Sequence, residues 1–494
     1  VVAVSAKTKC AAAERNCMRF NRILLVSPRF SKGRHRLSLH PLSGLGYIAE
    51  ALKRAGFDVT AFDMNLQYAY EDLEKKIADF NPDLIGFTVM TFGYQETYNL
   101  IHRLKASHTE MKIVAGGPHI SMLREQVLYE CPDIDYGIIL EGDNSIVQLC
   151  KGDDFETIKG FMYRRDTHII VNPFEAFITD LDSLSFPTYE SFELLRYPTR
   201  QIGIVTSRGC PYDCIYCPVI SAIGKKFRQR SAQSVVNEIE YWYAKGYRDI
   251  LILDDNFTLF KKRTEDICDL LSLKKMKDIR LKCPNGVRAD RVDYKLLKRM
   301  REVGFDMIAF GVEAGTEHVL RNIKKGENLA TIEESVRNAC KLNFDVDLFF
   351  LIGSPGETMT DVEKSFSFAL RYPVRSAKFY NIIPFPKTEL HRWLEEKKLL
   401  LHSQEYILNN ASHFINEPCF HTPEMSVQER RKAFRTGQKI ERKIRRKHIE
   451  RRIKIPSVFR PLVSMILVAP FVDLLLINNR SILKIKEILK RVFC

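Results

Sequence analysis

Short β-rich apolar runs alternate with amphipathic stretches from Arg22 onward: RILLV, GLGYIAEALKRAG, FDVTAFD, a helical stretch, LIGFTVM, TYNLIHRLKAS, KIVAGG and YGIIL. Strand and helix alternating at this spacing predict a parallel sheet wound on both faces over residues 19–150. Such sheets bind ligands beyond the carboxyl ends of their strands, where the loops here carry Thr88, Gly116, Gly117 and Glu141. The same glycines also suit ordinary turns. Residues 151–198 hold prolines and acidic residues without a sustained period and read as a linker. A second series occupies 199–400: QIGIVTSRG, a helix from Ser234 to Gly246, DILILDD, a helix ending at Leu273, RLKCPNG, a helix ending at Gly304, MIAFGVE, a helix from Thr331 to Leu342, and VDLFFLIG. Repeated units in this style predict a full or partial (β/α) barrel of the TIM type, with its active site at the strand C-termini.

The alternation stops in 401–494, a basic and helical region. The mostly apolar run from Pro461 to Ile477 would span about 25 Å as a helix, short of a bilayer core of roughly 30 Å, and Pro470 and Asp473 interrupt it. The following SILKIKEILKRVFC sets Ile482, Ile485, Leu489 and Val492 on one helical face. Two readings stand: an interfacial membrane anchor, or a helical cap whose apolar face packs on the barrel. The basic stretch before it has isoleucines on more than one face and reads as an electrostatic adhesive rather than a clean amphipathic helix.

A length of 494 residues calls for two or three domains. Hydrophobic residues at 45% and charged residues at 28% exclude a disordered chain and a polytopic membrane protein. Of the net charge of +15, much lies in Ser426–Ile455, where 13 Lys and Arg face 3 Glu. The remainder is close to balanced, so no nucleic-acid partner is expected. The 12 cysteines are scattered apart from one group, which fits a reducing cytoplasm rather than a disulfide framework. Residues 1–18 lack the apolar core of an export signal and read as a disordered tail, with translation expected to begin at Met18.

That one group is Cys210, Cys214 and Cys217 in IVTSRGCPYDCIYCP, a C-x3-C-x2-C spacing straight after a strand. Three thiolates on one loop can hold three irons of a [4Fe–4S] cube and leave the fourth iron open. A structural zinc site would want a fourth Cys or His nearby, and none is evident in the adjacent sequence. The spacing, with Tyr216 just before the last cysteine, resembles the signature of the radical S-adenosylmethionine (SAM) superfamily. Further landmarks of that family's cobalamin-associated branch follow in order. LILDDNFT, with Asp254, Asp255 and Asn256, resembles the second-strand motif, which implies a place beside the SAM amino group. CPNGVRAD sets Arg288 where the family has an arginine near SAM. In FGVEAGTEHVLRNIKKG, Glu313 matches the acidic residue associated with the ribose hydroxyls. LFFLIGSPGET resembles the fifth-strand motif, whose Gly353 and Pro355 shape the adenine side. The resemblance implies reductive cleavage of SAM to a 5′-deoxyadenosyl radical, with electrons from a donor such as flavodoxin or ferredoxin.

The first half resembles the B12-binding domains that precede many such barrels, through SGLGYIAEALKRAGFDV, IGFTVMT, VAGGPH and LEGD. The implied fold is a doubly wound, Rossmann-like cobalamin-binding domain followed by a partial TIM-type radical SAM barrel. The family's Asp-x-His-x-x-Gly loop, Ser-x-Leu and Gly-Gly pair correspond to Pro41-x-Ser43-x-x-Gly46, Thr88-x-Met90 and Gly116–Gly117. The cobalt-ligating histidine is missing, and a serine hydroxyl cannot replace imidazole on cobalt. His35 and His40, in the same loop, read as solvent-facing. The resemblance implies a cobalamin-dependent methyltransferase acting on an unactivated carbon or a phosphinate. Its alternatives are a cyclase, oxidoreductase or carbon–carbon bond-forming enzyme with a vestigial B12-type domain, and a non-catalytic corrinoid- or membrane-binding protein. A small-molecule or lipid substrate is expected, and the basic tail points to an anionic membrane surface on the inner face of the cell membrane.

Overall fold

The computed structural model describes residues 19–29, 40–174, 177–453 and 455–468, and divides into two compact units, one built around Pro41–Tyr197 and the other running from Pro198 with a short excursion at 221–224. The tail at 1–18, His35, and the Pro470, Asp473 and SILKIKEILKRVFC features lie outside the described residues.

The first unit is a seven-stranded sheet of β1 (Arg22–Ser27), β2 (Asp58–Asp63), β3 (Leu84–Thr88), β4 (Lys112–Gly116), β5 (Tyr136–Ile138), β6 (Phe161–Arg165) and β7 (His168–Val171), ordered β2-β1-β3-β4-β5-β6-β7. The first five strands run parallel, and β1 is buried from Ile23 onward, as a central strand covered on both faces requires. The Ser43–Arg54 helix buries Leu45, Tyr47, Ala49 and Leu52.

Residues 151–198, expected as a linker, belong to this unit. Strands β6 and β7 extend the sheet as an antiparallel hairpin, with Phe161, Met162 and Tyr163 buried. The chain that follows is strapped down. Thr188 donates from its amide and its hydroxyl to the Glu50 carboxylate (3.1 and 2.7 Å). Ala61 N donates to Ser191 O (2.9 Å), and Tyr197 Oη donates to Asp63 (3.1 Å). Gly46 is the mark of this strap on the helix: a Cβ there would lie 2.4 Å from the Tyr189 ring. The linker reading fails because these partners are distant in sequence and have no local period.

The second unit contains β8 (Gln201–Ile204), a small antiparallel pair of β9 (Ser207–Arg208) and β10 (Arg228–Gln229), then β11 (Asp249–Ile252), β12 (Arg280–Val287), β13 (Phe305–Glu313), β14 (Asp345–Ile352) and β15 (Ser376–Asn381). Six of these form a parallel sheet ordered β15-β14-β13-β12-β11-β8. Its end strands β8 and β15 are not paired with each other, so the barrel is partial. The expected helices are present at Ala232–Ala244, Lys261–Leu273, Tyr294–Glu302 and Leu329–Lys341.

The basic stretch is one helix, Val427–Arg452, started by a reciprocal Ser426–Glu429 capping box. It has a clean inner face of Arg430, Ala433, Phe434, Gly437, Glu441 and Ile444, and Gly437 lets it approach β15 so closely that a Cβ would sit 2.6 Å from Phe379 Cβ. The reading of this stretch as lacking a clean face is corrected: Ala433, Phe434, Gly437 and Ile444 set one buried side, while the segment read as anchor or cap, SILKIKEILKRVFC, lies outside the described residues. Lys432, Arg435, Lys439, Arg442, Lys443 and Lys447 form an exposed stripe at helical spacing. Among the described residues no helix is long and apolar enough to cross a membrane.

His119, beyond β4, is fully buried, stacked on Tyr94 (4.2 Å between ring centres) with Nε2 3.0 Å from Tyr98 Oη. Burial pushes its pKa down to about 3, so the folded ring stays neutral while the unfolded chain binds a proton as pH falls through the ordinary histidine range. Stability is therefore full above that range and is lost on acidification, by up to about 1.4 kcal/mol per pH unit. Denaturant unfolding at neutral and mildly acidic pH should show this loss in the wild type and a shallower one in His119→Phe.

Candidate functional site

The cysteine loop is launched from a buried carboxylate. Asp254, just past β11, accepts Thr206 N (2.6 Å), Thr206 Oγ1 (2.5 Å) and Ser207 Oγ (2.5 Å). Arg263 lies 3.9 Å from it and donates to Thr206 O (2.9 Å) and Phe257 O (3.0 Å). Asp254 was expected beside SAM; its carboxylate is instead spent inside the protein, tying the end of β8 to the end of β11. Gly209, at φ +87°, then turns the chain into the three cysteines.

Cys210, Cys214 and Cys217 are half-buried on this loop. Asn256 Nδ2 donates to Cys210 Sγ at 3.0 Å, which brings the second-strand motif to the cluster loop. Cys217 N donates to Cys214 O (3.1 Å) within the loop, and Ile215 N to Ile323 O (3.2 Å) and Leu390 N to Ile215 O (3.0 Å) hold it from two outside segments. Burial raises the Cys214 thiol and pushes Cys217 up to about 12, with Lys325 opposing the shift at Cys214. Asp255 is raised to about 6 by burial and by Asp254. Among the described residues no three His, Cys, Asp or Glu side chains converge on one ion position. An iron–sulfur cube does not ask for that, because each thiolate takes a different iron. The thiols thus fit a cluster bound at three corners.

Glu313 ends β13 with a left-handed backbone (φ +63°) at a register slip against β14, which aims its carboxylate back along the strand. Gly311 makes room, since a Cβ there would lie 2.4 Å from Glu313 Oε1. Lys325 Nζ pairs with Glu313 (3.0 Å) and Glu327 (3.5 Å), and all three are buried. Burial works against the Lys325 charge, but the two carboxylates outweigh it and lift its pKa above the ordinary value. Burial, followed by the nearby Glu313 carboxylate, raises the Tyr216 phenol.

Arg288 continues the chain of charges. It donates to Lys325 O (2.9 Å), Gly326 O (2.9 Å) and Asp290 (2.9 Å), lies 3.8 Å from Glu327, and stacks 3.6 Å over the Tyr212 ring of the cysteine loop. It is a clasp between that loop and 325–327. Lys325, Glu327, Tyr212 and Arg263 were not singled out from the sequence; the lysine stood in the quoted RNIKKG with nothing to show its partners.

Gly353, at φ +91°, and half-buried Pro355 form the turn after β14, with Pro355 O accepting Asn322 Nδ2 (2.9 Å). The structure thus gathers Cys210, Cys214, Cys217, Tyr216, Asp255, Asn256, Arg288 and Glu313 through direct or linked contacts, and places Gly353 and Pro355 on a neighbouring strand end.

In the first unit, Thr88 and Gly117 meet beyond β3 and β4. Gly117 has φ +101°, and a Cβ would stand 3.0 Å from Thr88 Oγ1 and from Val89 O. Gly116 is half-buried with only Ile138 O near its Cβ position (3.7 Å). This cradle of bare backbone fits the glycine-pair end of a cobalamin site. Ser43 is buried in the first turn of its helix, and Glu141 accepts Ile178 N (2.9 Å), bracing the strap. His40, which belongs to the second unit, is half-buried, its ring 3.3 Å from the Cβ position of Gly203. With His119 stacked inside, no described histidine reproduces the family's cobalt ligand.

The radical SAM superfamily model matches residues 204–369 and the B12 binding domain model matches 34–150. The chain belongs to the radical SAM superfamily, with a [4Fe–4S] cluster, SAM and cobalamin as its cofactors. Within it, the chain falls in the cobalamin-dependent methyltransferase family, whose relatives also include ring-forming enzymes. It is 30% identical to an uncharacterized methyltransferase of Pyrococcus horikoshii over 78% of this chain and 85% of that one. It is 26% identical to cytidylyl-2-hydroxyethylphosphonate methyltransferase of Streptomyces wedmorensis (76% and 82% covered), and 26% identical to the anaerobic magnesium-protoporphyrin IX monomethyl ester cyclase of Cereibacter sphaeroides (76% and 64%). The fold resembles OxsB, a cobalamin-dependent SAM radical enzyme, at a TM-score of 0.73 and 16% identity over 96% of this chain and 75% of that one.

Replacing Lys325 by Met leaves Glu313 buried without its cation and Glu327 with Arg288 alone. Denaturant unfolding should show a loss of about 3 kcal/mol, part of which Glu313→Gln restores in the double variant.

Proposed function

We propose that this protein transfers a methyl group from SAM, by way of cobalamin, to an unactivated carbon or a phosphinate of a small molecule. The observation that carries the reading is the braced three-cysteine loop, with Asn256 donating to a cysteine sulfur, in one chain with a B12-type sheet. Relatives described as methyltransferases, matched over most of their length, support it. When bound, the cluster delivers the electron that cleaves the SAM sulfonium, and cobalamin carries the methyl group.

The chain's own residues do the rest by positioning. Cys210, Cys214 and Cys217 hold three irons, and the Asn256 amide stabilises negative charge on the Cys210 sulfur. Lys325 keeps the Glu313 carboxylate oriented as a double acceptor for vicinal hydroxyls, while Asp255 and Tyr216 line the approach to the cluster. Gly353 and Pro355 frame the adenine side. Thr88, Gly116 and Gly117 receive cobalamin along bare backbone, with Ser43 offering a hydroxyl and Glu141 bracing the strap. A small redox protein such as flavodoxin or ferredoxin supplies the electron.

Anaerobic purification with cobalamin should give about four irons per chain, bound cobalt, reductant-dependent 5′-deoxyadenosine, and label from methyl-labelled SAM in the product. Cys214→Ala should lose iron and cleavage together. Iron and cleavage without cobalt or methyl transfer would discard this reading for ring formation, which the similarity to the cyclase favours.

A membrane-surface partner has one observation in its favour. Val458, Phe459, Met465 and Ile466 are exposed close after the basic helix and its cationic stripe. Sedimentation with anionic phospholipid vesicles should be strong at low salt, weaker at high salt, and reduced in a Lys439→Glu, Arg442→Glu, Lys443→Glu variant. A wild type that ignores such vesicles removes the lipid surface.

A further inference from the structure

The helix Val427–Arg452 lies beyond both family-model spans, yet it sends one side chain to the end of a barrel strand. Arg430 is fully buried, although the rest of the helix's cations are exposed or only half-buried. Its Nη2 donates to Ile352 O, the last carbonyl of β14, at 3.0 Å, and its Nη1 donates to Phe420 O at 2.5 Å. The guanidinium stacks 3.9 Å over the Phe420 ring. It also lies flat against Gly353: a Cβ at that residue would meet Arg430 Cζ at 2.2 Å and Nη2 at 2.3 Å. Gly353 is therefore glycine for two reasons, its φ of +91° and the cation pressed on its α-carbon.

The same turn is gripped from its other end. Glu357 Oε2 accepts Gly353 N (2.7 Å) and Ser354 N (3.2 Å), and both Glu357 and Ser354 are fully buried. Burial pushes Glu357 up to about 8 and Arg430 down to about 10, so the arginine stays charged at neutral pH while the acid is largely neutral. The cation is answered by carbonyls rather than by a bonded carboxylate. Desolvating a guanidinium to hold two carbonyls is a poor way to fill a core, which an aliphatic side chain does at less cost. It is a good way to fix where a strand ends.

We propose that Arg430 is a positioning residue for SAM: it fixes the β14 end and the Gly353–Glu357 turn in the conformation that receives the adenine, so the C-terminal helix completes the SAM site. The inference rests on reading that turn as the adenine side. Arg430 need not touch the cofactor. Its plane sets the backbone of Gly353, and Glu357 holds the amides of Gly353 and Ser354.

The test uses the reconstituted full chain, with 5′-deoxyadenosine formation followed against SAM concentration. Arg430→Lys keeps a charge and a stem but cannot serve both carbonyls; Arg430→Met removes the charge. Arg431→Met, whose guanidinium pairs with Glu417 (2.7 Å), is the control on the same helix. The expected result is a KM for SAM raised about tenfold in both Arg430 variants, kcat and iron content within about twofold of wild type, and no change in the control. Should Arg430→Met fail to fold, Arg430→Lys carries the comparison. Folded, iron-replete Arg430→Lys with an unchanged KM would overturn the inference and leave Arg430 a brace of the fold. A reconstituted wild type that does not cleave SAM would overturn the SAM-site reading itself.

Discussion

The carboxylate of Asp254 holds the centre of the second unit together. It is out of water, and three hydrogen bonds from Thr206 and Ser207 replace its lost solvation, with Arg263 close enough to balance its charge. Those bonds bind the end of β8 to the end of β11 at the point where the chain leaves the sheet for Cys210. A loop that must present three thiols at fixed spacing cannot rely on its own short backbone. It borrows rigidity from a buried ion–dipole contact, and the price is that this acid cannot also serve a ligand.

A second constraint acts from the opposite side of the loop. Glu313, Lys325, Glu327 and Arg288 alternate in sign through buried surroundings, and Arg288 ends over Tyr212. Each charge is neutralised by the next, so none is left uncompensated in a low-dielectric region. The left-handed backbone at Glu313 is tolerated because the pairing over-determines it. The pairing fixes where the Glu313 carboxylate stands, which is what positioning chemistry asks of a protein.

Glycines record the close approaches that a sequence does not explain. Gly46 yields to Tyr189, Gly311 to the Glu313–Lys325 pair, and Gly353 to Arg430. In the chain each looks like a turn or a motif glycine. In the fold Gly46 and Gly353 mark contacts between segments far apart in sequence, while Gly311 makes room for the carboxylate two residues on and for the lysine that pairs with it.

Much of the architecture was legible beforehand. Continuous apolar runs such as RILLV and VDLFFLIG fix buried parallel strands, their alternation with amphipathic helices fixes two wound sheets, and three cysteines at C-x3-C-x2-C fix the chemistry of the loop. All of these are local, because periodicity and spacing reside in neighbouring residues. What only the tertiary structure decided is non-local: that residues 161–197 belong to the first sheet and its strap, that the basic helix has an inner face, that Asp254 and Arg288 turn inward, and that Lys325 and Arg430 stand behind the site. A side chain's role in these cases is set by its partner, and the sequence carries no distance between Asp254 and Thr206 or between Arg430 and Gly353.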